Sequence, residues 1–156
     1  MYEGLFSLLC LWVVVFVSWM GIRKGFDLTA RILLVEFVTI IYCSTVIFRN
    51  TGETCRYDFH PFWSYAAIQQ GREELLAENI MNVVVFVPIG ILLEIGFAKW
   101  PWLKAIGTGC SLSMLIEAMQ LGFKRGVCEV DDVMHNTLGR FVGYMVARGQ
   151  SVLLKD

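Results

Sequence analysis

The segment GVCEVDDVMHNTLGRFVGY, Gly126–Tyr144, places acidic, imidazole and amide groups in a chain that is otherwise strongly apolar. Asp131 and His135 lie four residues apart, on one face of a predicted helix. The neighbouring stripe of that helix has the spacing i, i+4, i+7 and i+11 and carries Asp132, Asn136, Gly139 and Gly143. Polar groups at membrane depth are costly, and they usually face the protein interior and mark a functional site. We therefore expect chemistry or binding in this segment.

The composition indicates a membrane protein. The 156 residues are 56% hydrophobic and 17% charged, whereas soluble domains average about 45–50% apolar and about 25% charged residues. The length predicts one membrane domain, 1–156. The net charge of −1 excludes nucleic acid as a partner, because such proteins present a basic surface.

The apolar runs predict an all-α, polytopic transmembrane bundle of five spans, since helices satisfy their own backbone in lipid. The predicted spans are 5–21, 32–48, 79–97, 105–121 and 132–147. This arrangement puts seven Lys and Arg residues on one side and five on the other. The positive-inside rule then predicts the N-terminus outside and the C-terminus inside. The first span is expected to be retained, because its basic residues follow it rather than precede it.

This orientation brings polar residues from three helices and two loops to the outer third of the bilayer. The first two spans are expected to contribute little. The predicted ligand-binding residues are Arg72, Asn79, Asn82, Glu117, Gln120, Arg125, Glu129, Asp132, His135 and Asn136.

Four pieces of sequence, in this order and spacing, resemble the VanZ-like family of small bacterial membrane proteins. They are DFHPFWSY (58–65), ENIMNVVVFVPIG (78–90), IEAMQ (116–120) and RGVCEVDDVMHNTLGRFVGY (125–144). The resemblance covers about 58–146. Arg140 departs from it, because a small or apolar residue is expected there.

The resemblance implies a multi-pass protein of the bacterial plasma membrane. The founding member of the family is associated with low-level resistance to teicoplanin, a lipoglycopeptide that acts on cell-wall precursors outside the membrane. The implied partners are membrane lipids and a lipid-linked cell-wall precursor or lipoglycopeptide. No cofactor is expected, and the oligomeric state stays open.

The leading hypothesis is recognition of such a ligand at the outer polar cluster. Asp132, His135 and Asn136 would be the principal contacts, and Arg72 and Arg125 would hold an anionic head group through their guanidinium groups. A structural subunit of an envelope complex is a further alternative.

A membrane-embedded enzyme is the main alternative. Asp131, Asp132 and His135 are the catalytic candidates for acid–base chemistry, because clustered carboxylates raise one another's pKa and histidine titrates near neutrality. Glu129 would join these three residues in a metal site for Mg²⁺, Ca²⁺, Zn²⁺ or Mn²⁺. Their spacing matches no standard metal signature, so no metal is predicted.

The same residues also have a purely structural interpretation. Either Asp131 or Asp132 would cap the last helix, while His135 and Asn136 would bond to Glu117 and Gln120. Gly139 and Gly143 form a GxxxG pair that predicts close packing of the last helix on the third or fourth span. Cys55 and Cys128, in the two outer loops, are a candidate disulfide.

Overall fold

The computed structural model describes residues 25–97 and 101–153, and these are mostly helical. The predicted first span, 5–21, lies outside the described residues. The elements, in chain order, are α1 (Phe26–Tyr42), a π-helical turn (Cys43–Ile47), β1 (Tyr57–Asp58), α2 (Trp63–Gln69), α3 (Glu74–Phe97), α4 (Trp102–Gly122), β2 (Cys128–Glu129) and α5 (Val130–Leu153).

Two of the described helical segments, Asp27–Ile47 and Glu74–Phe97, are long and apolar enough to cross a membrane. Large apolar side chains are also exposed over much of the surface of the helices. Soluble proteins expose single apolar residues, but rarely large contiguous apolar areas. Among these exposed residues are Val35, Ile80, Leu103, Met114 and Leu115.

The helices pack around α3 and α5, which make the most extensive contact with each other. The small apolar core combines α1 and the π-turn with α3 and α4, through Ile41, Val46, Phe86, Ile89 and Ile116. At the C-terminal end of α3, Arg31 of α1 donates Nε to the Gly96 carbonyl at 2.6 Å. These contacts fix α1 along α3.

Glycines allow α5 to lie directly on α3, which confirms the predicted role of the GxxxG pair. A Cβ on Gly139 would lie 3.0 Å from the Phe86 Cβ, and one on Gly143 would lie 2.8 Å from the Gly90 Cα. Helices that approach this closely gain dispersion contacts along their backbones.

Arg140, the departure from the family pattern, is fully buried between α5 and α4. Its alkyl stem occupies the space that a side chain at Gly109 would fill: a Cβ there would lie 2.9 Å from the Arg140 Cγ. An apolar stem can pack in this way while the charge lies at its end. A missing side chain on α4 therefore makes room for the arginine.

The loop after the π-helical turn and the loop after α4 are joined by a short parallel ladder, in which Tyr57 pairs with Cys128 and Asp58 with Glu129. The Gly52 amide also donates to the Lys124 carbonyl at 2.7 Å. The candidate disulfide is absent, because Cys55 and Cys128 are both free thiols.

The structure differs from the sequence prediction in the first of these loops. The sequence predicts a short helix over 72–78 that leads directly into the third span, and α3 begins at Glu74, five residues before the predicted span. The preceding loop contains α2, which was not predicted. Phe62 precedes α2 in the left-handed region, with φ of 65°.

Candidate functional site

A polar cavity of about 380 Å³ lies between α1, α3, α4 and the start of α5. Seven predicted ligand-binding residues line it, and they come from three helices and the strand β2. They are Asn79, Asn82, Glu117, Gln120, Glu129, Asp132 and Asn136. Their convergence in one cavity follows from the fold, but their role in binding stays a prediction.

The expectation that the second span contributes little is wrong. Ile41, Ser44 and Thr45 of α1 and the π-turn form one wall of the cavity. In addition, Gln120 donates Nε2 to the Thr45 carbonyl at 3.4 Å. The π-turn therefore belongs to the site.

Two charged residues of the cavity, Arg49 and Glu78, were missed in the sequence. Glu78 precedes Asn82 by four residues, so helical spacing could have placed it on the cavity face. Arg49 lies two residues after the π-turn, and its guanidinium lies against Gly126. A Cβ at this glycine, whose φ is 96°, would lie 2.8 Å from the Arg49 Cζ. Gly126 therefore provides both the turn and the space for the arginine.

Hydrogen bonds between helices hold the cavity wall. Asn82 Nδ2 of α3 donates to Asp132 Oδ1 of α5 at 2.6 Å. Asn136 Nδ2 donates to Ser113 Oγ of α4 at 2.8 Å. Asn82 therefore both joins two helices and lines the cavity.

Glu117 is buried in this wall, with 4% of its surface exposed. Its Oε2 accepts the Glu129 amide at 3.0 Å, so the buried carboxyl group also fixes β2.

Asp131 is directed away from the cavity and caps α2 rather than its own helix. It is 1% exposed, and its Oδ1 accepts the Phe62 amide at 2.6 Å. Its Oδ2 accepts the Ser64 amide at 3.0 Å and the Ser64 hydroxyl at 2.5 Å. Asn79 Nδ2 donates to the same hydroxyl at 3.1 Å. Asp131 therefore positions α2 over the helix bundle.

His135 also faces α2, with Nε2 2.7 Å from the hydroxyl of Tyr65. The predicted bonds from His135 and Asn136 to Glu117 and Gln120 are therefore wrong. His135 contacts α2, which is absent from the prediction, and Asn136 donates to Ser113 of α4 instead.

A second, more open pocket of about 550 Å³ adjoins the cavity at the loops that carry β1 and β2. The two pockets share Arg49, Glu78 and Glu129. We call this second pocket the mouth. Arg49, Arg56 and Arg72 line it, together with the rings of Tyr57 and Trp63.

The predicted site arginines differ in their surroundings. Arg72 lines the mouth, with its Cζ 5.8 Å from the Trp63 ring centroid and its Nε 3.2 Å from Glu74 Oε1. Arg125 donates Nη1 to the carbonyls of Val46, at 2.8 Å, and Ile47. Arg125 therefore ties its loop to the π-turn, and its predicted contact with a head group stays a prediction.

The four candidate metal ligands do not converge. Asp131 and His135 face α2, whereas Glu129 and Asp132 face the cavity. Within 25–97 and 101–153, no three His, Cys, Asp or Glu side chains are grouped to hold a metal ion.

Cys128 is the thiol nearest to the acidic cluster. Burial and the nearby carboxylates raise the pKa of Cys128. A higher pKa keeps the group protonated, and the thiol is a much weaker nucleophile than the thiolate.

Glu129 couples the site to pH. Burial, followed by the charges of Asp132, Asp58, Glu78 and Asp131, raises the pKa of Glu129 from 4.5 to about 7. The folded protein therefore holds this proton more tightly than the unfolded chain. The resulting stabilisation is complete below about pH 4.5 and is lost as the pH rises through about 7.

We expect Glu129→Gln to flatten the fall in thermal unfolding temperature between pH 5 and pH 8, because glutamine does not ionise. The matched control is Glu53→Gln, which changes an exposed residue of the loop before β1. It should retain the wild-type slope. A wild-type slope in the Glu129 variant would contradict the assignment of this pH dependence to Glu129.

Comparison with known proteins identifies the family of this chain. The VanZ/LLP1 family model matches residues 5–154. Protein VanZ of Enterococcus faecium is 36% identical over 66 residues, which cover 42% of this chain and 41% of that protein. The aligned part is thus less than half of the relative's length. No solved structure matches. Because the family model extends over nearly all of its length, the chain belongs to the VanZ/LLP1 family.

Proposed function

We propose that this is a multi-pass protein of the bacterial plasma membrane that binds a lipid-linked envelope ligand or a lipoglycopeptide at its outer face. Arginines at the mouth hold the anionic head group, and the cavity receives the adjoining polar part. The observation that carries the proposal is the mouth with its three arginines, which opens into a polar cavity through shared residues. Membership of the family supports an association with glycopeptide resistance.

Two of the mouth arginines are available for an anion. Among the described residues, Arg49 and Arg56 form no ion pair within 4.0 Å. The nearby Asp58 is engaged, because its Oδ1 accepts the His60 amide at 2.9 Å. Guanidinium groups bind phosphate oxygens in pairs, through charge-assisted hydrogen bonds. A phosphate is therefore the head group that suits the mouth.

The proposal includes five spans, with the N-terminus outside and the C-terminus inside. Its support is the helix order, the two apolar helices and the distribution of basic residues. In this orientation the loops that form the mouth lie on the outer side, where cell-wall intermediates and glycopeptides are encountered.

The test uses purified protein in detergent, with farnesyl phosphate as an isoprenoid phosphate probe and farnesol as its neutral counterpart. We expect Arg49→Gln/Arg56→Gln to weaken farnesyl phosphate binding by at least about tenfold, since each hydrogen bond to a charged group contributes about 1.5–3 kcal/mol. Farnesol binding should be unchanged.

Lys124→Gln is the matched control, because it removes an exposed outer-loop charge outside the mouth.

In a sensitive Gram-positive host, wild type should protect against teicoplanin, and the double variant, at equal membrane level, should not. Equal binding of farnesyl phosphate and farnesol would overturn the proposal. Release of inorganic phosphate would favour the enzyme alternative.

A further inference from the structure

We infer that the cavity beneath the mouth receives a protonated primary amine, so that the ligand carries an ammonium group close to its phosphate. The inference rests on the proposed function and names the chemical class of the ligand. Glu78, Glu117, Glu129 and Asp132 line the cavity, and Arg49 is the one basic residue among its lining residues. The lining therefore carries more acidic than basic groups.

The amide side chains reinforce this preference, because their nitrogens are already used. Asn79, Asn82 and Asn136 donate Nδ2 to Ser64, Asp132 and Ser113, respectively. Within the described part of the chain, the oxygens of these three amides have no protein donor. These three cavity-lining side chains therefore retain acceptors that no protein group of the described residues uses.

Gln120 gives the second, independent indication. It is 3% exposed and lines the cavity, and its Oε1 is buried without a hydrogen-bond partner. A buried acceptor without a donor costs about 1–3 kcal/mol. A ligand with several N–H groups would satisfy this oxygen together with the carboxylates.

The size of the cavity favours a molecular cation over a metal ion. A bound Mg²⁺ or Ca²⁺ needs oxygens that converge at about 2.0–2.6 Å. No such grouping occurs within 25–97 and 101–153, and the acidic residues line a space of about 380 Å³. An ammonium has three N–H donors and accepts a looser arrangement of oxygens.

The mouth and the cavity together would then recognise two charges of opposite sign. Arg49, Glu78 and Glu129 line both spaces, so a phosphate at the mouth is adjacent to an amine in the cavity. Burial raises the pKa of Glu129 to about 7. Glu129 would lose its proton when an ammonium binds, because an adjacent positive charge favours the carboxylate.

The experiment compares dioctanoyl phosphatidylethanolamine with its N-acetyl derivative, which keeps the phosphate and lacks the ammonium. We expect the amine to bind at least about tenfold more tightly, which corresponds to about 1.4 kcal/mol. Glu78→Gln/Glu129→Gln should reduce this preference about tenfold, with Glu53→Gln as the control. Because Glu78 is exposed, Glu78→Gln alone should preserve the fold and reduce the preference in the same direction.

The outcomes separate the two proposals. If both lipids bind equally and binding needs Arg49 and Arg56, the ammonium inference is wrong and the proposed function stands. If neither lipid binds but farnesyl phosphate does, the ammonium inference is wrong and the proposed function stands; if none of the three binds, both fail. Competition by free phosphoethanolamine, with the same dependence on Glu78 and Glu129, would show that a soluble phosphoethanolamine compound is the ligand. Competition by the lipid alone would identify a lipid head group.

Discussion

Gly139→Ala is expected to destabilise the protein by about 3 kcal/mol, the upper end of the usual range for an overpacked core. The added methyl would run into the Val83 carbonyl oxygen and lie 2.8 Å from its carbon and 3.0 Å from the Phe86 Cβ. Backbone atoms of α3 cannot move away as the end of a flexible side chain can. The helices would have to separate along their whole contact. Thermal unfolding in detergent measures the loss.

Gly107→Ala is the matched control, because it makes the same change inside α4, where a Cβ would meet nothing within 4 Å. It should be neutral or stabilising by up to about 1 kcal/mol, since alanine favours helix more than glycine does. If both variants unfold at the same temperature, close packing of α5 on α3 does not limit stability.

Asp131→Ala is expected to detach α2 from the bundle at a cost of about 3 kcal/mol. The change leaves the Phe62 amide, the Ser64 amide and the Ser64 hydroxyl without their acceptor. Each buried donor that loses its partner costs about 1–3 kcal/mol, although the loop recovers part of this by taking up water. Faster amide hydrogen exchange in 57–72, with little change in α3 and α5, is the expected measurement.

Asp27→Ala is the control for this variant, because Asp27 is an exposed residue 3.9 Å from Arg31. Exposed ion pairs contribute about 0–1 kcal/mol, so exchange in 57–72 should be unchanged. Wild-type exchange in the Asp131 variant would show that other contacts hold α2. Phosphate binding should weaken when α2 detaches, because Trp63 of that helix lines the mouth.

Helical character and the α3–α5 contact could be predicted because apolar runs and glycine spacing are local signals. The polar stripe of α5 was also informative, since Asp132 and Asn136 both line the cavity. The prediction was less accurate for the next stripe. Asp131 and His135 lie one turn apart, as expected, but their partners belong to α2, whose position depends on the tertiary structure.

The mouth could not be predicted because loops assemble it. Arg49 and Arg56 precede β1, and β1 pairs with β2 from the other end of the chain. Neither arginine carries a periodic pattern that would indicate its partner. Arg125 shows the converse: a basic residue next to an acidic segment bonds to carbonyls of the π-turn. Charge and position in the sequence do not distinguish these two environments.

The capping of α2 by Asp131 also determines when the site forms during synthesis. The hydrogen bonds from Phe62 and Ser64 to Asp131 span 69 and 67 residues of the chain. The strand β1 likewise cannot pair until β2 has been synthesised. A nascent chain that ends within α4 already contains α2 and all three mouth arginines, but it lacks the acceptor and the strand that hold them together. The ribosome must therefore release the start of α5 before the cavity closes. Truncation before Cys128 would give a protein that still has both apolar helices but no assembled site.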